Sequence, residues 1–244
     1  MTKPGAHQSA VQSIRFFLGT VPQVPIAVMG NSPPVDCSIC AEINLTSDYR
    51  FYGSSSSDGE YAVQGSLYLQ DASGRCGGVL ANTVDFNDTS TRFEFDTFIG
   101  FVKVIGELEY NAELVYISYD GNKVGPTYDF WQGKLATRRY FNNFWLTASV
   151  ACTPQWASAS GNQTELLLEG NYTVAHGYRL TGGLGRGVLS SDPGLWYWNL
   201  GVEKDWQSWT FALSWAGTDL SKAECGGTDL CEEAVIGAVT LRFY

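Results

Sequence analysis

The sequence predicts an all-β protein: a transmembrane antiparallel β-barrel of about twelve strands, with short periplasmic turns and longer external loops. Three observations carry this. Aromatic residues make up 14% of the 244 residues and charged residues only 16%, alongside 27 glycines; an ordinary soluble domain carries roughly 25% charge. From residue 42 onward, apolar and polar side chains alternate with almost no helical periodicity. The connections between the alternating segments are long and short by turns.

Other classes fail on composition. The chain is too rich in aromatic and apolar residues for a collagen-like or disordered protein. The longest weakly charged stretch, Phe16 to Val35, is broken by Pro22, Pro25, Pro33 and Pro34. No helix of about 20 apolar residues is therefore available to cross a bilayer. Lys and Arg number 15 against 25 Asp and Glu, a formal net charge of −10. That balance gives no basic footprint, and nucleic acid is not expected as a partner.

Residues 1–41 read as a signal-like N-terminal segment and linker. Lys3 and Arg15 precede Phe16-Phe17-Leu18 and Ile26-Ala27-Val28-Met29, the charged-then-apolar outline of an export signal. Pro33, Pro34, Cys37 and Cys40 mark residues 30–41 as linker. Residues 42–244 form the barrel. Its strands are expected at 42–51, 61–70, 76–86, 92–102, 107–119 and 128–136, then at 141–152, 163–174, 178–187, 195–204, 208–217 and 233–244. Each runs to about ten residues, the length a tilted strand needs to cross a bilayer.

Side chains alternate faces along a strand, so each face is read separately. In 92–102, Phe93, Phe95, Ile99 and Phe101 oppose Glu94 and Asp96. In 107–119, Leu108, Tyr110, Ala112, Leu114 and Tyr116 oppose Glu107, Glu109, Asn111 and Glu113. In 163–174, Leu166, Leu168, Tyr172 and Val174 oppose Glu165, Glu169 and Asn171, and in 208–217 Trp209, Phe211, Leu213 and Trp215 hold one face alone. The apolar face is too bulky for a small soluble barrel's interior and suits lipid; the acidic and amide face suits a watery lumen. Lys134, Arg186 and Lys204 are placed outward near strand ends, where they snorkel to the interface. Segments 76–86 and 233–244 do not divide cleanly into faces.

The connections add an independent reason. In order, the odd-numbered ones have 9, 5, 8, 10, 7 and 15 residues and the even-numbered ones 5, 4, 4, 3 and 3. Long loops on one rim and tight turns on the other is the outer-membrane plan, which puts both termini and the tight turns at the periplasm. Segment 218–232 is then the largest external loop. Its Cys225 and Cys231, with Gly226 and Gly227 between them, are expected to form a disulfide in an oxidising compartment. Cys37 and Cys40 could form a second small bridge. Cys76 and Cys152 fall at opposite rims and should not pair with each other. A zinc site is not expected, because His7 and His176 lie far from either Cys pair.

Ser47-Asp48-Tyr49-Arg50-Phe51, Gly53, Ser55, Ser57-Asp58-Gly59 and Ala62-Val63-Gln64-Gly65 resemble the opening motif of the TorF-type porins, also called the Gcw_chp family of bacterial outer-membrane proteins. Gly74, Gly78, Asn82-Thr83-Val84-Asp85-Phe86, Glu94, Asp96, Gly100, Gly201, Thr218-Asp219-Leu220-Ser221, Cys225 and Cys231 follow in order. The resemblance covers about residues 42–244 and implies an outer-membrane barrel. Four positions depart from the family pattern: Tyr52 stands where Arg is usual, Ser56 where Gln is, Tyr61 where Pro is and Cys76 where an aromatic is.

Catalytic and ligand motifs are absent or bland. Gly182-Gly183-Leu184-Gly185-Arg186-Gly187 lacks the helix and the Lys-Ser/Thr pair of a phosphate loop and reads as a Gly-rich strand. The sequons at Asn44, Asn87, Asn162 and Asn171 read as chance triplets. His176, the only candidate base in the barrel, falls in a tight turn on the periplasmic side, the wrong rim for hydrolysing outer-leaflet lipid. No enzyme, metal or cofactor is expected.

The expected function is a channel for passive diffusion of ions or small solutes through the bacterial outer membrane, with outer-membrane lipid around it. Asp48, Glu94, Asp96, Glu107, Glu109, Glu113, Asp129, Glu165, Glu169 and Glu203 are the expected acidic pore lining, and Arg50 and Arg179 the clearest inward bases. Such a wall prefers cations, with Glu94 and Asp96 foremost because their strand divides most cleanly. Asp48 and Arg50 are either a lumenal charge pair or solvated wall residues. Two other functions stay open: a non-conducting barrel with a structural or adhesion role, and a secreted soluble β-protein binding carbohydrate. The sequence leaves the solute and the oligomeric state open.

Overall fold

The computed structural model describes residues 39–86, 90–121, 128–155, 161–190 and 192–243. Twelve strands close into one antiparallel barrel. In chain order they are β1 (Ile39–Thr46), β4 (Ala62–Gln70), β5 (Arg75–Thr83), β6 (Phe93–Ile105), β7 (Leu108–Tyr119), β8 (Phe130–Tyr140), β9 (Phe144–Thr153), β10 (Gln163–Ala175), β11 (Tyr178–Leu189), β12 (Asp192–Trp206), β13 (Trp209–Thr218) and β14 (Ala234–Phe243). Two short strands, β2 (Arg50–Phe51) and β3 (Ser54–Ser55), form a separate hairpin inside the first connection. Each barrel strand pairs with its sequence neighbour, and β1 closes the ring by pairing with β4 and β14; Asn44 faces Gln64 on one side and Thr240 on the other. No helix occurs among the described residues.

The alternation has the expected consequence. Outward side chains form a continuous apolar surface, with Ile99 65% and Leu200 61% exposed. Trp131, Trp196, Trp206, Trp209 and Trp215 belong to the same surface. Arg186 and Lys204 lie on it as well, each against a ring, Trp196 and Tyr178 respectively.

One rim has the tight turns 71–74, 106–107, 141–143, 176–177 and 207–208. His176 and Gly177 both take positive φ, 51° and 78°, the pairing a two-residue hairpin turn needs. The opposite rim has the longer connections, with one exception. Strands β11 and β12 run on to Leu189 and from Asp192, leaving only 190–191 between them, because Leu189 and Asp192 still pair across the hairpin.

Other boundaries also move. The first strand begins at Ile39, inside the expected linker, and ends at Thr46, five residues before the expected Phe51. β6 runs to Ile105 and β8 to Tyr140. Residues 1–38, which hold the signal-like segment and Cys37, lie outside the described residues, as does Asn87. Cys40 is disulfide-bonded. Cys225 and Cys231 form the expected bridge, with Cα atoms 5.9 Å apart, and Cys76 and Cys152 are free.

Candidate functional site

What the barrel encloses is decided by its first connection, 47–61, which turns inward. Tyr52 and Gly53 take positive φ, 47° and 78°, and reverse the chain between β2 and β3. A side chain at Gly53 would place Cβ 2.2 Å from the Gly217 carbonyl oxygen, so only glycine lets the turn lie against β13. Asp48 organises the loop. Its carboxylate accepts from Arg50 Nε at 2.7 Å and Ser55 Oγ at 2.6 Å, and Ser57 Oγ stands 3.3 Å from it. Ser57 Oγ in turn donates to the Glu60 carbonyl and accepts from the Tyr49 amide.

The loop's aromatics fill the barrel. Tyr49, Phe51 and Tyr52 join one buried cluster with Leu80, Phe98, Val115, Ile117, Leu167, Leu195 and Tyr197. Tyr52 is 1% exposed; its ring stands 5.0 Å from that of Tyr197, and Gln163 Nε2 donates to its hydroxyl. The Tyr197 hydroxyl donates to Glu165. Burying side chains of this size contributes about 1.5–3 kcal/mol each, enough to hold the loop in place. Burial, with the Glu94 charge beside it, pushes the Tyr49 phenol well up, so it remains a donor.

Beside this plug a belt of hydrogen bonds crosses six strands. Thr240 Oγ1 donates to Asn44 Oδ1 at 3.0 Å, Asn44 Nδ2 to Gln64 Oε1 at 2.7 Å, Gln64 Nε2 to Asn82 Oδ1 at 3.2 Å and Asn82 Nδ2 to Glu94 Oε1 at 2.8 Å. Glu94 also accepts from Tyr49 at 2.8 Å and Tyr119 at 2.7 Å. Nearer the short-turn rim the interior charges are paired: Arg179 with Glu203 and Asp205, Arg242 with Glu42 and Asp205, Arg138 with Glu109.

The remaining space is eccentric. Phe98, Val115, Ile117 and Gln132 crowd the β6–β8 side, whereas Thr181, Ala212, Ser214 and Ala238 leave room opposite. A cavity of about 440 Å³ lies there, bounded by Asp48, Arg50, Tyr52 and Gly53 of the first loop and by Arg138, Trp145, Glu169, Asn171, Asn199 and Glu203 of the wall.

The structure places the expected acidic lining in three groups. Glu109, Glu113, Glu165, Glu169 and Glu203 face the interior; Glu169 and Glu203 border the cavity. Glu94 and Asp96 also face inward but are 1% and 0% exposed. They are sealed rather than bathed in water, because Tyr49 and Tyr119 cover Glu94 while Leu80 and Ile117 flank Asp96 in the adjoining strands.

Two residues do not line the interior. Glu107 lies in the 106–107 turn, 75% exposed and paired with Arg139 at 2.5 Å; it precedes β7, so the two-residue period of that strand does not reach it. Asp129 precedes β8 and accepts from the Tyr119 amide and the outward Tyr116 hydroxyl, so it closes a hairpin end. Asp48 and Arg50 pair at 2.7 Å in the inward loop rather than on the first strand.

Lys134 is a further correction. It faces inward, because Phe130, Gln132 and Arg138 set that face of β8. The adjacent pair Phe130-Trp131 hides the parity: Trp131 is outward and Phe130 belongs to the plug cluster. Sequence reasoning also missed Arg138, Arg242 and the inward role of Tyr49 and Tyr52. The one available signal was Gly53, whose place in an alternating run marks a break.

Gly185 offers a check on the plug. A Cβ there would stand 1.9 Å from the Tyr197 ring, which is held between Tyr52 and Glu165. Gly185→Ala should therefore destabilise the folded barrel by about 1–3 kcal/mol through overpacking. A lowered urea midpoint, read by the loss of the unheated gel mobility, is the expected result; an unchanged midpoint would mean that Tyr197 moves freely.

A family model described as "Bacterial protein of unknown function (Gcw_chp)" matches residues 30–243. No curated protein matches the chain in sequence. Among solved structures the fold is similar to that of the KdgM porin, at 9% identity and a TM-score of 0.57 over 84% of this chain and 98% of that one. The KdgM porin in complex with disordered oligogalacturonate gives the same values. At this identity the likeness is one of fold.

Proposed function

The chain belongs to the Gcw_chp family, and from that premise we propose that it is an outer-membrane channel of porin type, through which small solutes diffuse passively and cations pass more readily than anions. The observation that carries this is the inversion of the barrel: a continuous apolar exterior around an interior of amides, paired charges and a cavity. Left in water, so large an apolar surface would drive association; in lipid it is the favourable exterior. The resemblance to the TorF-type porins supports the same reading, and the signal-like N-terminal segment supports export. A KdgM porin has been captured with disordered oligogalacturonate, which supports a solute of modest size here.

Inward acids outnumber inward bases, and the cation preference is assigned to the two that border the cavity, Glu169 and Glu203. Fixed negative charge raises the local cation concentration, more strongly at low salt. Reversal potentials across a salt gradient test this. Glu169→Gln with Glu203→Gln should move the potential toward the anion side, whereas Glu94→Gln with Asp96→Asn should move it little. A wild-type preference for anions would contradict the assignment.

A second reading is a barrel sealed by its first loop, with a role in the envelope or in adhesion. The cluster joining Tyr49, Phe51 and Tyr52 to Val115, Ile117 and Leu195 favours it. Swelling of liposomes containing the protein in small neutral and ionic solutes separates the two, since a sealed barrel admits none.

A further inference from the structure

The connection between β13 and β14, residues 219–233, does not lie free over its rim. Its Leu230 carbonyl accepts from the Ser55 amide at 2.8 Å, and its Glu232 carbonyl accepts from Arg50 Nη1 at 2.5 Å. Ser54 Oγ stands 3.3 Å from Cys231 Sγ. All three contacts fall on the β2–β3 hairpin, which carries Tyr52 into the barrel. Both carbonyls flank Cys231, whose position is set by its bond to Cys225, and the two cysteines are only 2% and 4% exposed. No barrel strand includes any of residues 225–231, so the barrel wall does not depend on the bridge. The exposed Lys222–Asp229 pair is a weak alternative tether.

We propose that the Cys225–Cys231 loop is a redox latch: the disulfide holds the first loop inside the barrel, and its reduction by a low-molecular-weight thiol frees that loop and widens the path past Tyr52. In this step the sulfur–sulfur bond breaks and takes up two electrons and two protons to give two cysteine thiols. Two thiols of the reductant lose the same electrons and protons and join as a disulfide. Without the bridge the Leu230 and Glu232 carbonyls lose their fixed position, the Ser55 amide and Arg50 Nη1 lose the acceptors that tie the hairpin to the rim, and the hairpin keeps only its aromatic packing and the hydrogen bonds within the first loop and to the barrel wall. The conductance consequence rests on the channel reading; release of the hairpin does not.

The test uses the full chain in lipid nanodiscs, oxidised and then treated with dithiothreitol, with mass spectrometry verifying free thiols at Cys225 and Cys231. The Cys225→Ser, Cys231→Ser double variant is measured in parallel, because dithiothreitol also reaches the bridge at Cys40. Hydrogen exchange at the Ser55 and Ser56 amides should quicken by at least about tenfold in both arms, with β6 amides unchanged. Conductance in planar bilayers should rise in step. A change of less than about twofold at Ser55 and Ser56 overturns the latch. Faster exchange with no conductance in either state leaves the latch standing and sinks the channel reading. If the double variant does not reach the barrel fold, the reduced wild-type protein decides alone.

Discussion

Replacing residues 50–56 by a short Gly-Ser bridge should raise single-channel conductance severalfold while the barrel stays folded. These residues include Phe51 and Tyr52, which close the buried cluster, and Arg50, which borders the cavity. None of them belongs to a barrel strand, so the wall keeps its pairing. Their removal joins the cavity to the space now filled by aromatic rings, and it uncovers the inner wall around Glu165 and Gln163. On the channel reading, conductance follows the narrowest cross-section of the water path, and the first loop, which fills part of the interior, is the segment proposed to set it. Some folding free energy should be lost with the aromatic packing, about 1.5–3 kcal/mol for each large side chain. The unheated gel mobility checks that the barrel survives. Unchanged conductance in a folded variant would place the constriction elsewhere.

The second large effect is on the outside. Leu200 is 61% exposed in the middle of β12, between Gly182 of β11 and Trp215 of β13. Leu200→Arg should cost about 2–4 kcal/mol of folding free energy in a bilayer, the range for a guanidinium on the lipid face near the midplane. The adjoining residue, Asn199, points the other way and borders the cavity. Asn199→Arg should cost far less and alter conductance instead. Urea titration of both variants in lipid vesicles measures the contrast. Equal costs would mean that the two faces see similar surroundings, as in a protein immersed in water.

The contrast between adjacent residues is also what made the fold legible. A period of two is local, so Phe93, Phe95, Ile99 and Phe101 declare one face of β6 without reference to any other part of the chain. The strand count and the outward surface follow from that pattern alone. What lies against the inner face does not, because parity states a direction and not a neighbour. Asp48-Tyr49-Arg50-Phe51 alternates as a strand would, which extends the first strand by five residues; the positive φ at Tyr52 and Gly53 turns it inward instead. The plug explains why segments 76–86 and 233–244 do not divide cleanly. Leu80 and Ile236 point inward yet are buried, because the interior they face is partly apolar. It explains too why Glu94 and Asp96, the clearest inward acids by pattern, are the least open to water. Loop 218–232 was legible as a disulfide loop from its cysteine spacing, but its seat on the first loop joins residues about 180 positions apart, which no local pattern encodes.

The most direct measurement of the central claim is single-channel recording of the purified, folded protein in planar bilayers. The account predicts discrete conductance steps, small in the wild-type protein because the first loop narrows the lumen, with a reversal potential on the cation side in a salt gradient. Protein that shows heat-modifiable gel mobility and is inserted in the bilayer, yet gives no steps with or without the first loop, would contradict it.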